Sequence, residues 1–73
     1  MLPIWLHAKA QRLLDQLNAA TKIETLRKPP SNRLEKLTGR LKNYWSIRIN
    51  NQWRVIFQWV ESEAFQVDIV DYH

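Results

Sequence analysis

The chain has 73 residues, no cysteine and a formal net charge of +4 at pH 7. One small core is all that this length supports, near the size where a single core is only marginally sufficient, and without thiols neither disulfides nor thiolate metal sites can add to it. The lack of cysteine is compatible with the expected cytoplasmic location, no apolar run approaches the roughly 20 residues of a membrane span, and the opening MLPIWL is too short for a signal peptide and lacks its basic flank.

Charge is unevenly spread. Residues 1–54 carry all 11 lysines and arginines against three acids (Asp15, Glu24 and Glu35), whereas residues 55–73 carry four acids and no base. The section from 27 to 54 alone holds eight bases and one acid. Such a stripe fits a polyanion, most economically nucleic acid, and it equally fits an ordinary solvated surface.

In chain order, residues 3–20 read as a helix. Leu6, Ala10, Leu13, Leu14 and Leu17 follow the spacing of one helical face, with Lys9, Arg12, Asp15 and Gln16 off it. Pro3 suits the first turn. Trp5 and His7 lie off the stripe, and His7 reads as solvated or partner-facing rather than as a ligand. Thr21 is placed to cap a second short turn over 22–26, with Glu24 three residues on as in a capping box, and Ile23 and Leu26 pinning it to the core. Lys28-Pro29-Pro30-Ser31 predicts an extended connector. A strand is expected over 33–37, anchored by Leu34 and Leu37. Gly39, the one glycine, then permits a turn into the basic loop Arg40-Leu41-Lys42-Asn43.

Residues 44–59, YWSIRINNQWRVIFQW, predict a β-hairpin whose register can be derived. A two-residue loop at Asn50-Asn51 mixes arginine with tryptophan on both faces. A three-residue loop over 50–52 instead pairs Ile49 with Trp53, Ile47 with Val55 and Trp45 with Phe57, and one face becomes wholly apolar. Asn tolerates the left-handed conformation that such a loop needs. Arg48 then sits opposite Arg54 on the other face, a destabilising like-charge pair that calls for a nearby carboxylate or a visiting anion.

A second three-residue turn, Glu61-Ser62-Glu63, leads into a last strand over 64–70, in which Phe65, Val67 and Ile69 continue the apolar parity. With Val60 opposite Ala64, this register sets Trp59 against Phe65, Phe57 against Val67, Val55 against Ile69, Arg54 against Val70 and Ile56 against Asp68. Arg48, Arg54, Asp68 and Tyr72 share one face. The fold class is α+β: an N-terminal helix and a short second helical turn on one face of a small, mainly antiparallel twisted sheet, all in one domain over residues 1–73.

Sequence signatures of nucleotide-binding loops, nucleophile elbows and zinc proteases are missing, and His7 and His73 show no metal-ligand spacing. What remains suits phosphodiester chemistry. Arginines bind phosphate bidentately and stabilise charge developing on it. A histidine moves protons near neutral pH, and Tyr44 and Tyr72 can stack on a base. The alternative for Arg54 is a plain cross-strand ion pair with Asp68, and for His73 a disordered terminus.

Residues 29–73 resemble the HigB branch of the RelE/ParE toxin superfamily, through PPSNRLEKL-x-G, the YWSIRIN-x-QWR-x-x-F core and the terminal DYH. The resemblance implies a RelE-like fold and a type II toxin that cleaves messenger RNA on the translating ribosome without metal or cofactor. It also implies inhibition by a HigA-type helix-turn-helix antitoxin, through which alone operator DNA is engaged. The resemblance further implies that the substrate 2′-hydroxyl is the nucleophile. Arg54 matches the family's phosphate-holding arginine, and Asp71, Tyr72 and His73 its terminal catalytic group. Lys36 and Arg40 lie in its basic RNA-contacting loop, with Lys42 and Arg48 as further RNA contacts. Where some relatives read LHPLKG, this chain has Glu35 and Thr38 at the histidine and lysine positions, so Glu35 is an auxiliary base or a partner to a cation. Relatives also begin with about 20 more residues, a strand and a helix, which leaves an edge open to another chain. The alternatives are a gyrase inhibitor of the ParE kind and a non-catalytic RNA- or protein-binding relative.

Overall fold

The alternating apolar pattern of the C-terminal half folds into a four-stranded antiparallel sheet, seen in a computed structural model that describes residues 1–72. Its strands are β1 (Glu35–Lys36), β2 (Trp45–Arg48), β3 (Trp53–Val60) and β4 (Glu63–Asp71), lying side by side in chain order. On one face packs the helix α1 (His7–Ala19), which continues from a 3-10 turn at Ile4–Leu6. This is the α+β arrangement that the sequence predicts.

The helical stripe does what its spacing requires. Leu6, Ala10, Leu13 and Leu17 are buried with Ile47, Ile49, Trp53, Val55 and Phe57 of the sheet and with Leu26 and Leu34 of the connections. Fully burying a side chain such as Phe57 contributes about 1.5–3 kcal/mol, and Phe57 is inaccessible to solvent.

The first hairpin has the derived register, with Trp45 opposite Phe57, Ile47 opposite Val55 and Arg48 opposite Arg54. Near the site the second hairpin also agrees: Arg54 faces Val70, Val55 faces Ile69 and Ile56 faces Asp68. Farther along it does not. The turn has two residues, Glu61 and Ser62, both with positive φ (49° and 68°), the mirror-image geometry that matches strand twist. Gln66 is also left-handed (φ 52°). Between the Ile56–Asp68 and Gln58–Phe65 pairs, β4 therefore has two residues where β3 has one, a β-bulge. The bulge flips the parity beyond it. Ala64, not Phe65, faces Trp59, and Phe65 and Val67 are 45% and 43% exposed rather than core.

Three local expectations also change. Pro30–Asn32 is a 3-10 turn after a cis Lys28–Pro29 bond, not an extended connector. Arg33 closes that turn in the left-handed region, at φ 45° and ψ 58°, where a non-glycine residue costs about 1–2 kcal/mol. The strand expected over 33–37 consequently shortens to Glu35–Lys36. The second helical turn spans Ile23–Arg27 and buries Leu26 as expected, but Thr21 does not cap it. Instead the Thr25 hydroxyl donates to the Lys22 carbonyl at 2.8 Å.

The polar centre of these connections is Asn32, only 2% exposed. Its Nδ2 reaches the carbonyls of Leu26 (3.1 Å) and Lys28 (3.2 Å) and Oε1 of Gln16 on α1 (3.1 Å). Asn32→Leu keeps the branched shape but takes the amide donor away from the buried Leu26 carbonyl, at a cost of about 1–3 kcal/mol. Thermal unfolding should show Tm falling by about 4–8 °C per kcal/mol lost, and an unchanged Tm would contradict this role for Asn32.

Candidate functional site

On the sheet face turned away from α1, the pleat lines up Glu35, Ser46, Ile56 and Asp68 across the four strands. Arg48 and Arg54 lie in the next row. Arg54 is the centre of this face. Its Nη1 donates to Ser46 Oγ at 2.9 Å and its Nη2 to Glu35 Oε1 at 3.1 Å, and the guanidinium lies over the Tyr72 ring, 4.9 Å from its centroid. Arg54 and Tyr72 approach because Tyr72 follows β4 on Arg54's side, its N–H donating to the Gln52 carbonyl.

The carboxylate that compensates Arg54 is thus Glu35, from the edge strand β1, and not Asp68. Asp68 Oδ1 accepts instead from the Ile69 N–H at 2.8 Å. Arg54–Glu35 is the one salt bridge among the described residues. Ser46 is fully buried, so its hydroxyl needs a partner, and the guanidinium it receives is held in place on that side. Arg48 turns to Asn51 Oδ1 across the hairpin loop.

The other predicted residues divide. Asp71 lies opposite Trp53 on the core parity, and its Oδ2 accepts from Gln52 Nε2 at 3.0 Å. Lys36 pairs with Trp45, which puts it on the face opposite Arg54. There its ammonium sits 5.4 Å from the Trp45 ring centroid and donates to the Lys42 carbonyl at 2.8 Å. Arg40 and Lys42 are exposed in and beside the 3-10 turn Gly39–Leu41, where Gly39 takes the positive φ of 68°. His73 lies outside the described residues.

Sequence reasoning missed two residues. Ser46 sits diagonally across from Arg54, and a small hydroxyl inside an apolar strand was the available signal. Arg33 joins Arg48, Arg54, Asn50, Asn51 and Tyr72 in lining a shallow cavity of about 210 Å³. Among the described residues no group of His, Asp or Glu side chains is arranged to hold a metal ion, and no helix is long and apolar enough to cross a membrane.

Residues 2–73 match the family model of the HigB-like toxins, described as RelE-like toxins of the type II toxin–antitoxin system HigB. The chain belongs to this family. It is 53% identical over 53 residues to Toxin HigB-1 of Vibrio cholerae serotype O1, covering 73% of this chain and 56% of that protein. An uncharacterized protein of Haemophilus influenzae is 37% identical over 63 residues, covering 86% and 62%. Endoribonuclease HigB of Proteus vulgaris is 33% identical over 60 residues, covering 82% and 64%. The chain therefore spans between 56% and 64% of the length of these relatives.

Within this HigB-like chain the Arg54–Glu35 pair is a surface interaction on one side: the Glu35 side chain is 52% exposed and that of Arg54 13%. Solvent screens such a pair, so a double-mutant cycle with Glu35→Gln and Arg54→Gln in urea unfolding should give a coupling of at most about 1 kcal/mol. A coupling several times larger would make the pair a structural tie instead of a positioned, exchangeable one.

Proposed function

We propose that this HigB-like chain is a toxin that cleaves messenger RNA on the ribosome in the cytoplasm, and that a HigA-type antitoxin neutralises it. Operator DNA is reached only through that antitoxin. The observation that carries this reading is the mounting of Arg54: anchored by Ser46, stacked on Tyr72 and countered by one half-exposed carboxylate. A guanidinium has five N–H donors, and Ser46 and Glu35 take one each. A phosphate can therefore dock on Arg54 by displacing Glu35 while Ser46 holds the group still. The relative from Proteus vulgaris is named an endoribonuclease, which agrees with this chemistry.

In the reaction proposed, the ribose 2′-oxygen attacks the adjacent phosphorus and the bond from phosphorus to the 5′-oxygen breaks. The products are a 2′,3′-cyclic phosphate and a 5′-hydroxyl. One proton leaves the 2′-hydroxyl and one is delivered to the departing 5′-oxygen. Arg54 stabilises the extra charge on the phosphoryl oxygens, where a preorganised donor is worth most. His73 moves a proton, Tyr72 stacks on or hydrogen-bonds the nucleotide, and Asp71, already fixed by Gln52, orients this terminal group. Glu35, once displaced from Arg54, is an auxiliary base. Arg48, Arg40 and Lys42 contact the flanking backbone, and Lys36 is reached only where RNA passes around the β1 edge.

Arg54→Ala should lower cleavage by about 10²–10³-fold, the effect of losing one preorganised oxyanion donor. The decisive measurement maps messenger RNA 5′ ends after induction of wild type and variant. Cuts at ribosomal A-site positions in the wild type alone support the reading. Intact transcripts with accumulating DNA breaks would replace it with gyrase inhibition, and cuts by both proteins would remove Arg54 from the chemistry.

A further inference from the structure

Arg33 lies between two buried residues, Asn32 and Leu34, and is itself exposed in the left-handed conformation. Asn32 is pinned by its three acceptors, so the backbone must turn at the next residue. Glycine or asparagine would make that turn without the steric penalty that arginine brings. Backbone strain of this kind persists where the surroundings enforce it, and it concentrates at binding sites. Here the strained residue lines the same cavity as Arg48, Arg54 and Tyr72. Three arginines thus converge on about 210 Å³ of space, while the one salt bridge among the described residues engages Arg54 alone.

We infer that Arg33 is an RNA-binding residue that holds the phosphate next to the scissile one, in a cavity shared with Arg48 and walled by Tyr72. This rests on the reading above that the face takes RNA. Arginine suits the task because its planar fork matches phosphate oxygens in pairs. Tyr72 offers an aromatic surface to an unpaired base at the same cavity. The ligand class is accordingly single-stranded RNA, bound through two successive phosphates: one at Arg54, where Ser46 fixes the guanidinium, and one at Arg33 and Arg48. Arg33 belongs to binding and not to bond cleavage.

The test uses the full chain and a 2′-O-methyl-uridine hexanucleotide, which lacks the nucleophile and so cannot be cut. Its affinity is measured by tryptophan fluorescence across a series of NaCl concentrations, for wild type, Arg33→Asn and Arg33→Lys. Arg33→Asn keeps tolerance of the left-handed turn but removes the charge. It should weaken binding about five- to tenfold and flatten the slope of log K against log salt by about 0.7, the loss of one single-strand phosphate contact. Arg33→Lys should keep the slope. Arg33→Gly, which relieves the turn, should bind as poorly as Arg33→Asn while its Tm stays level or rises, and that separates binding from folding. Equal affinity and slope for wild type and Arg33→Asn would overturn the inference and leave Arg33 a turn residue, as would failure of the wild type to bind the oligonucleotide. If messenger RNA is never cleaved yet Arg33→Asn still loses the contact, the catalytic reading falls and the Arg33 phosphate site stands.

Discussion

The sheet depends on one side chain at a turn. Asn50 Oδ1 accepts from the N–H of Gln52 at 2.9 Å and from the N–H of Trp53 at 2.8 Å, which ties the loop between β2 and β3 to the observed register. An asparagine that bonds its own backbone two residues on mimics a backbone turn, and no residue of this loop takes the left-handed conformation that the sequence led one to expect there. With the loop fixed, Ile47, Ile49, Val55 and Phe57 all fall on the side of α1, and Arg48 and Arg54 on the other. A shift of one residue would send every one of these side chains to the wrong face. The core and the arginine face are therefore two results of the same small hydrogen-bonded clasp.

That clasp explains which parts of the molecule were legible in the sequence. Seven apolar residues on one parity left a single workable pairing for the first hairpin, and the register around Arg54 followed from it. The second turn carried no such signal. Glu61 and Ser62 are poor residues for positive φ, so a two-residue mirror turn was not the natural reading, and nothing about Gln66 announced a bulge. The two errors offset each other along the strand. A turn one residue shorter and a bulge one residue longer restore the pairing by Asp68, which is why the site register was right and the outer half of β4 was wrong.

The carboxylate was misassigned for a different reason. Asp68 could be placed by counting through a tight hairpin, whereas Glu35 reaches Arg54 from β1 by way of the long connection from 37 to 44, which no local pattern constrains. Arg33 was invisible for a similar reason, since its conformation is imposed by the burial of Asn32 and not by its own preference. Periodicity describes elements; these residues are set by what joins them. The helix enters the site in the same indirect way, through Gln16, whose amide bonds the Lys28 carbonyl at 2.7 Å and whose oxygen receives Asn32. A face with few direct contacts to α1 is thereby braced from behind by it.

The order of the strands gives the charge asymmetry a direction in space. Within the sheet, Lys36, Arg40, Lys42, Arg48 and Arg54 belong to β1, the loop after it, β2 and the start of β3, while Glu61, Glu63, Asp68 and Asp71 belong to the last turn and the far edge strand; the other six bases lie on α1 and the connections before β1. The sheet itself consequently carries a charge gradient from β1 to β4. Near a polyanion such a gradient experiences a torque as well as an attraction, and it turns the β1–β2 side of the sheet toward the polyanion. Orientation before contact raises the productive share of encounters, and it fades as salt shortens the reach of the field to about 8–10 Å at physiological ionic strength. The acidic strand, which touches no anion itself, would then act as the rudder of the approach.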